Sequence, residues 1–148
     1  MLLKKAEHEH GLETADYARL AAFRRALREF LRFSDEAAAA LGLTTQHYQV
    51  MLVLRACPDG ETVSINDLAQ ELLIRHNSAV GLVDRLVEER LVVRNESRMD
   101  RRKVDLRLSA RGRRVLAKLA SGHRAELERI GPSLERLIAG VRAARDRD

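Results

Sequence analysis

Residues 64–109 read SINDLAQELLIRHNSAVGLVDRLVEERLVVRNESRMDRRKVDLRLS, and this stretch decides the fold. Ser64 stands where a hydroxyl caps a helix, Asp67 falls in the first turn, and a short helix runs from there to about Leu72. After Leu73-Ile74-Arg75-His76, the positions Ala79, Leu82, Val83 and Leu86 share one face of a further helix, which turns Asn77, Ser78, Gly81 and Arg85 away. Leu91–Arg94 and Val104–Leu108 are strand-like, the second alternating apolar with charged residues, and the hydrophilic tip Glu96–Lys103 separates them. Helix, tight turn, helix and hairpin form the outline of a winged helix-turn-helix. In that design one helix enters the major groove of duplex DNA and the hairpin reaches an adjacent minor groove.

Working outward, apolar positions from Leu20 to Leu41 recur at three and four, so one amphipathic helix spans about Ala15–Leu41 and Gly42 ends it. Thr44 caps a second helix whose run Val50, Met51, Val53, Leu54 reads as buried on more than one side, before Pro58-Asp59-Gly60 forces a turn. Thr62-Val63 reads as a very short strand. Beyond the hairpin, Ser109 caps a fifth helix (Val115, Leu116, Leu119), and Gly131-Pro132 divides it from a sixth (Leu134, Leu137, Ile138, Val141). The expected fold is mainly α with a small β-hairpin wing, in one domain over residues 1–148. The winged helix-turn-helix takes about 44–109, between dimerisation helices at about 12–41 and 110–147. The stripes of those outer helices have no partner in a lone winged helix, so a second copy must cover them. Such a homodimer reads a pseudo-palindromic operator.

Composition narrows the function. With 45% hydrophobic and 33% charged residues the chain is neither disordered nor membrane-spanning, and Met1–Lys5 begins no signal peptide, so a cytoplasmic protein is expected. Cys57, the single cysteine, can form neither an internal disulfide nor a multi-cysteine metal site. Residues 98–118 carry nine basic and two acidic side chains, a net +7 in a chain of net +5, so the remainder carries −2. One basic segment on a nearly neutral protein is the footprint of phosphate contact. Three Phe and two Tyr, none within that segment, leave little to stack single-stranded bases. No nucleophile with a base, paired buried carboxylates, phosphate loop or metal triad stands at a recognisable spacing, so neither catalysis nor a cofactor is expected. Glu7-His8-Glu9-His10 reads as a solvated start rather than a metal site.

The stretch resembles the MarR family of transcription regulators. The likeness rests on Leu43-Thr44, Leu68-Ala69 with Leu72, Leu82-Val83-Asp84-Arg85-Leu86, and Asp100-Arg101-Arg102 followed by Leu106, Leu108-Ser109 and Gly112, and it extends over about residues 12–147. It implies a sequence-specific regulator binding double-stranded DNA, in the main a repressor, released by a small aromatic or phenolic effector. It further implies that Asn77, Ser78, Val80 and Gly81 face the major groove, with Arg75 and His76 opening the recognition helix. Asn suits an adenine edge, Val80 a thymine methyl, and helix N-terminal amides a phosphate; Asn77 can equally serve as that helix's cap. Arg101 and Arg102 have the reach to enter a narrow minor groove, Asp100 can hold one guanidinium, and Arg85, Arg94 and Arg98 either contact phosphate or pair with acids such as Asp84 and Glu96. Leu73 stands where the family favours a turn glycine, and Gly81 where it favours a larger polar residue. For the effector, the resemblance implicates Tyr17, Arg24, Arg28, Phe30, His47, Tyr48 and Met51. Cys57 lies outside the family's redox-sensing position and reads as a buried inert thiol. A redox-sensing regulator, and a helical protein-interaction module of the same fold, are the alternatives.

Overall fold

The computed structural model describes residues 11–96 and 104–146. In chain order the elements are α1 (Thr14–Ala39), α2 (Thr45–Ala56), α3 (Ile65–Glu71), α4 (His76–Glu88), β1 (Val92–Glu96), β2 (Val104–Leu108) and α5 (Ala110–Arg145). Two expectations are corrected. No strand forms at Thr62-Val63; a single bond from the Leu106 amide to the Val63 carbonyl, 3.2 Å, is the backbone link there, and the sheet is the two-stranded antiparallel β1–β2 hairpin. Nor does Gly131-Pro132 divide the last helix, for Pro132 lies inside a continuous α5. A helical proline removes one backbone bond and costs about 3 kcal/mol. The apolar sequence Ile130, Leu134, Leu137, Ile138, Val141 keeps its spacing of three and four across it, and that stripe is served only by an unbroken helix.

The chain forms two compact units, one taking in residues up to Phe33 and from Arg124 onward, the other Ser34–His123. In the first, Asp16 is buried, accepts from the Glu13 amide at 3.0 Å and pairs with Arg19 at 2.9 Å, so a buried carboxylate closes the start of α1. Arg19 also packs over Gly140 of α5, where a Cβ would lie 2.8 Å from its Nε. Much of this unit's apolar surface stays open: Leu12, Tyr17, Leu20, Leu27, Leu31, Leu127, Ile138 and Val141 are all exposed.

The second unit closes around Met51, Leu68, Leu86, Val50 and Val83, which are fully buried, with Leu43, Leu54, Leu91, Val92, Leu106, Leu108, Leu116 and Leu119 around them. Three helix ends set the chain directions. In each, the residue after the cap is left-handed and two backbone bonds close a Schellman turn: Gly42 to Ala39 with Leu43 to Ala38, Leu73 to Gln70 with Ile74 to Ala69, and Arg90 to Val87 with Leu91 to Leu86. The first and third turns send Leu43 and Leu91 into the core, and the second brings back the half-buried Ile74. Buried His123 is satisfied as well. Its Nδ1 donates to the Leu119 carbonyl (2.7 Å), its Nε2 accepts from the Ser34 hydroxyl (2.8 Å), and its ring stacks on Tyr48 with centroids 4.1 Å apart.

The end of α4, the hairpin and the start of α5 meet at Ser109. Its amide donates to the Leu91 carbonyl (3.0 Å), its hydroxyl donates to the Arg90 carbonyl (2.7 Å) and accepts from the Gly112 amide (2.9 Å). One side chain thus caps α5 and anchors it to the turn after α4. A Cβ on Gly112 would run into the Leu91 carbonyl, a backbone group with no freedom to yield. Gly112→Ala is therefore expected to destabilise the protein by about 3 kcal/mol or more, a forced backbone shift rather than a change in helix propensity. Chemical denaturation measures it. A loss near zero would show that α5 and the Leu91 turn are not held in this register.

Candidate nucleic-acid interface

α4 begins with its positive end bare. Its N-cap is Arg75, which makes no side-chain capping bond, and no acid lies in the first turn. The asparagine expected as a possible cap, Asn77, is instead the second helical residue, so its amide group is not occupied in capping. By contrast, both preceding helices are closed by reciprocal capping boxes: Ser64 with Asp67 on α3, and Thr44 with His47 on α2. An uncapped N-terminus keeps its amides and partial positive charge available to an anion.

The two faces of α4 are cleanly divided. Ala79, Val83 and Leu86 are buried in the core, Val80 is half-buried, and Arg75, His76, Asn77, Ser78 and Gly81 are exposed. His76 is fixed by Asn66 of α3, whose Oδ1 accepts from His76 Nδ1 at 2.7 Å. With Asn66 Oδ1 as the acceptor, Nδ1 carries the hydrogen and Nε2 is the acceptor of the neutral ring. Sequence reasoning missed Asn66, because the two residues are ten apart and meet only through the crossing of α3 and α4. Among the described residues nothing lies within 4 Å of the place a Cβ on Gly81 would take, so none of them accounts for its small size.

The flanking arginines are tied down. Arg85 pairs with Glu89 (2.9 Å) and approaches Glu88 (3.8 Å), and Arg94 of β1 pairs with Asp84 of α4. Exposed pairs of this kind are worth about 0–1 kcal/mol, too little to keep a guanidinium from a phosphate that offers more. Strand pairing runs from Val92↔Leu108 to Glu96↔Val104, and Arg107 Nε donates to Asp105 at 2.8 Å. Arg98, Asp100, Arg101 and Arg102 lie outside the described residues.

The residues implicated in effector binding divide between the two units. Tyr17, Arg24 and Arg28 are exposed and Phe30 is half-buried in the first; His47, Tyr48 and Met51 are buried in the second. Met51 is enclosed in the core, and burial pushes the Tyr48 phenol above its usual range. Two hollows of the first unit, about 310 and 280 Å³, are lined by α1 and α5 residues such as Leu20, Phe23, Leu137 and Val141, and by none of those seven. Cys57 is half-buried and its thiol faces the Pro58 carbonyl at 3.7 Å. Among the described residues no group of His, Cys, Asp and Glu could hold a metal ion, and no helix is long and apolar enough to cross a membrane. Glu7 to His10 lie outside them.

The fold resembles that of known proteins. Residues 41–103 match the family model described as MarR family. Among solved structures, a MepR variant from S. aureus is 18% identical over 85% of this chain and 95% of its own, with a TM-score of 0.72. AbsC from Streptomyces coelicolor, a MarR family transcriptional regulator, is 21% identical over 89% and 90%, with a TM-score of 0.71. CouR from Rhodococcus jostii RHA1 bound to p-coumaroyl-CoA is 24% identical over 82% and 85%, with a TM-score of 0.67. Another MepR variant, bound to an oligodeoxyribonucleotide, is 18% identical over 88% and 99%, with a TM-score of 0.66. No curated protein sequence matches the chain.

His47 generates a prediction of its own. Its Nδ1 accepts from the Thr44 amide at 3.0 Å, a role open only to the neutral ring, and burial, then the Arg85 guanidinium, hold its pKa below 6.5. The unfolded chain takes up this proton near pH 6.5 and the folded chain resists it, so stability is complete above that pH and falls as the solution is acidified below it. His47→Gln keeps a side chain able to reach back to the Thr44 amide and removes the titration. Melting curves below about pH 6.5 are expected to fall less steeply for His47→Gln than for the wild type. Equal slopes would remove His47 from the acid response.

Proposed function

We propose that this chain, whose winged helix-turn-helix is that of the MarR family, is a homodimeric transcription regulator that binds duplex DNA and is released by a small ligand. The DNA-binding regulator is the coarser part of the reading; repression and an aromatic or phenolic effector are the finer part. The observation that carries it is the face of α4: an uncapped positive N-terminus with Asn77, Ser78 and Gly81 exposed beside it, opposite a buried apolar face. In this reading Arg75, His76, Arg85 and Arg98 meet phosphates, Asn77 and Ser78 read base edges, and Val80 reaches a thymine methyl. At Gly81 the helix backbone comes close to the duplex, and Arg101 and Arg102 enter the minor groove with Asp100 as their brace.

Two further lines support the assembly. The exposed apolar residues of the first unit are the surface a second copy would cover, and a two-fold pair of α4 helices matches a pseudo-palindromic operator. The oligodeoxyribonucleotide bound by the MepR variant and the p-coumaroyl-CoA bound by CouR are precedents for both kinds of partner. A module that binds only protein has no use for the basic segment 98–118. Tyr17, Arg24, Arg28, Phe30, His47, Tyr48 and Met51 remain the residues proposed for the effector.

The test starts with a duplex selected from a random pool by the wild-type protein. Asn77→Ala is expected to weaken binding to that duplex by about 1–3 kcal/mol and to random duplex much less. Arg102→Ala should weaken both and flatten the salt dependence by about one counterion. Gly81→Ala should stabilise the free protein by about 1 kcal/mol and still bind the selected duplex more weakly. If Asn77→Ala and Arg102→Ala lose specific and non-specific binding in equal proportion at an unchanged salt slope, the division of labour between α4 and the hairpin is wrong. Light scattering should give twice the 16.7 kDa chain mass; a soluble monomer would refute the dimer.

A further inference from the structure

Leu73 is poorly suited to the free protein on two counts. It occupies the left-handed position of the Schellman turn after α3, with φ +55°, where a Cβ crowds the neighbouring carbonyl and glycine is the usual residue. Its side chain is also 92% exposed, more than any other large apolar residue among those described. The equivalent positions resolve this differently: Gly42 after α1 has no Cβ, and Arg90 after α4 has a side chain that water solvates. Leu73 has neither advantage. An apolar side chain held at a strained backbone position without burial points to a contact made outside the chain.

We propose that Leu73 is a DNA-contact residue, laying its side chain against the apolar parts of the duplex, a deoxyribose edge or a thymine methyl, as α4 enters the major groove. The proposal rests on the DNA-binding reading given above. The surroundings select a polyanion over another partner. Leu73 lies three residues before His76 in the turn that delivers α4, and the residues that follow, Arg75, His76, Asn77 and Ser78, are exposed, with the uncapped positive helix end among them. The acids of α3 lie elsewhere, Asp67 and Glu71 lining a hollow with Val53 and Ala56 of α2. An isolated apolar knob in a basic, polar surface is too small for a protein interface, which needs a contiguous patch. It matches a duplex, whose sugars and thymine methyls are the apolar groups within reach of a phosphate-contacting turn.

The experiment measures folding and binding on the same proteins. Leu73→Gly and Leu73→Asn both relieve the left-handed strain, so both should melt at or above the wild-type temperature. Both should bind the duplex selected by the wild type more weakly, by about tenfold, with an unchanged salt slope because no charge is altered. Replacing thymine by uracil in that duplex separates the two apolar sources. A loss of wild-type affinity that Leu73→Gly does not share assigns the methyl, and no loss assigns the sugar. Variants that bind as tightly as the wild type, or whose binding falls only in step with melting temperature, would overturn the proposal. A changed oligomeric state with unchanged DNA affinity would overturn it too, assigning Leu73 to a contact between copies. A wild type that binds no duplex at all would instead refute the DNA-binding reading.

Discussion

At the carbonyl of Leu91 three segments of the second unit are brought to one point. α4 ends there in a Schellman turn, β1 begins there, and β2 returns so that the Ser109 amide donates to that same oxygen. Gly112 then lets the first turn of α5 lie directly over it. The direction of α4, the register of the hairpin and the start of α5 are therefore one geometric decision. An error of one residue in the hairpin would turn Leu106 and Leu108 away from the core, and would carry Ser109 away from both carbonyls it serves. The Leu-Ser-x-x-Gly spacing at 108–112 is legible in the sequence for this reason: each member has a different task at one site, and no substitute performs all of them.

The parts of the fold that the sequence shows are those decided within a few residues. Hydroxyl caps at Thr44, Ser64 and Ser109 are local bonds, and each helix start appears where its cap stands. The alternation of Val104 to Leu108 marks a strand whatever its partner, but of its two charged residues only Arg107 is exposed and Asp105 is buried. What the sequence conceals is set at longer range. Pro132 reads as a break because its local preference is strong, yet the apolar stripe on either side demands one helix. Thr62-Val63 looks extended, but α3 starts at Ile65 and leaves room for one bond to β2. The bond between Asn66 and His76 depends on how two helices cross, which no spacing rule encodes. Asn77 reads in the sequence as a possible helix cap, and the start of α4 at His76 removes that role.

Local rules are broken at closely spaced points along this unit. Arg75 leaves a helix uncapped, Leu73 takes a conformation made for glycine, and Gly81 weakens a helix interior by about 1 kcal/mol relative to alanine. The preceding helices start and end by the rules, as the two capping boxes and Gly42 show. Three departures within nine residues fit a surface selected for a partner, because stability selected alone would remove them one by one. Departures elsewhere need no partner: Arg90 shares the backbone strain of Leu73 but exposes a charge to water, and Pro132 is carried by the apolar stripe of α5.

The charges around α5 extend this logic. Arg111, Arg113 and Arg114 stand in the first turns of the helix, where the backbone already carries partial positive charge and acids would be the stabilising choice. Arg113 relieves part of the conflict by donating to the Leu108 carbonyl at 3.1 Å, and Arg107 by pairing with Asp105. Arg111, Arg114 and Lys118 stay exposed. Their mutual repulsion is weak in water and screened within about 8–10 Å at physiological salt, so the fold tolerates it. Against a polyanion the same charges act together, raising the rate of encounter before any base is read. In the proposed reading, long-range attraction from this basic segment and short-range discrimination by α4 would be supplied by different residues, whose effects separate with salt.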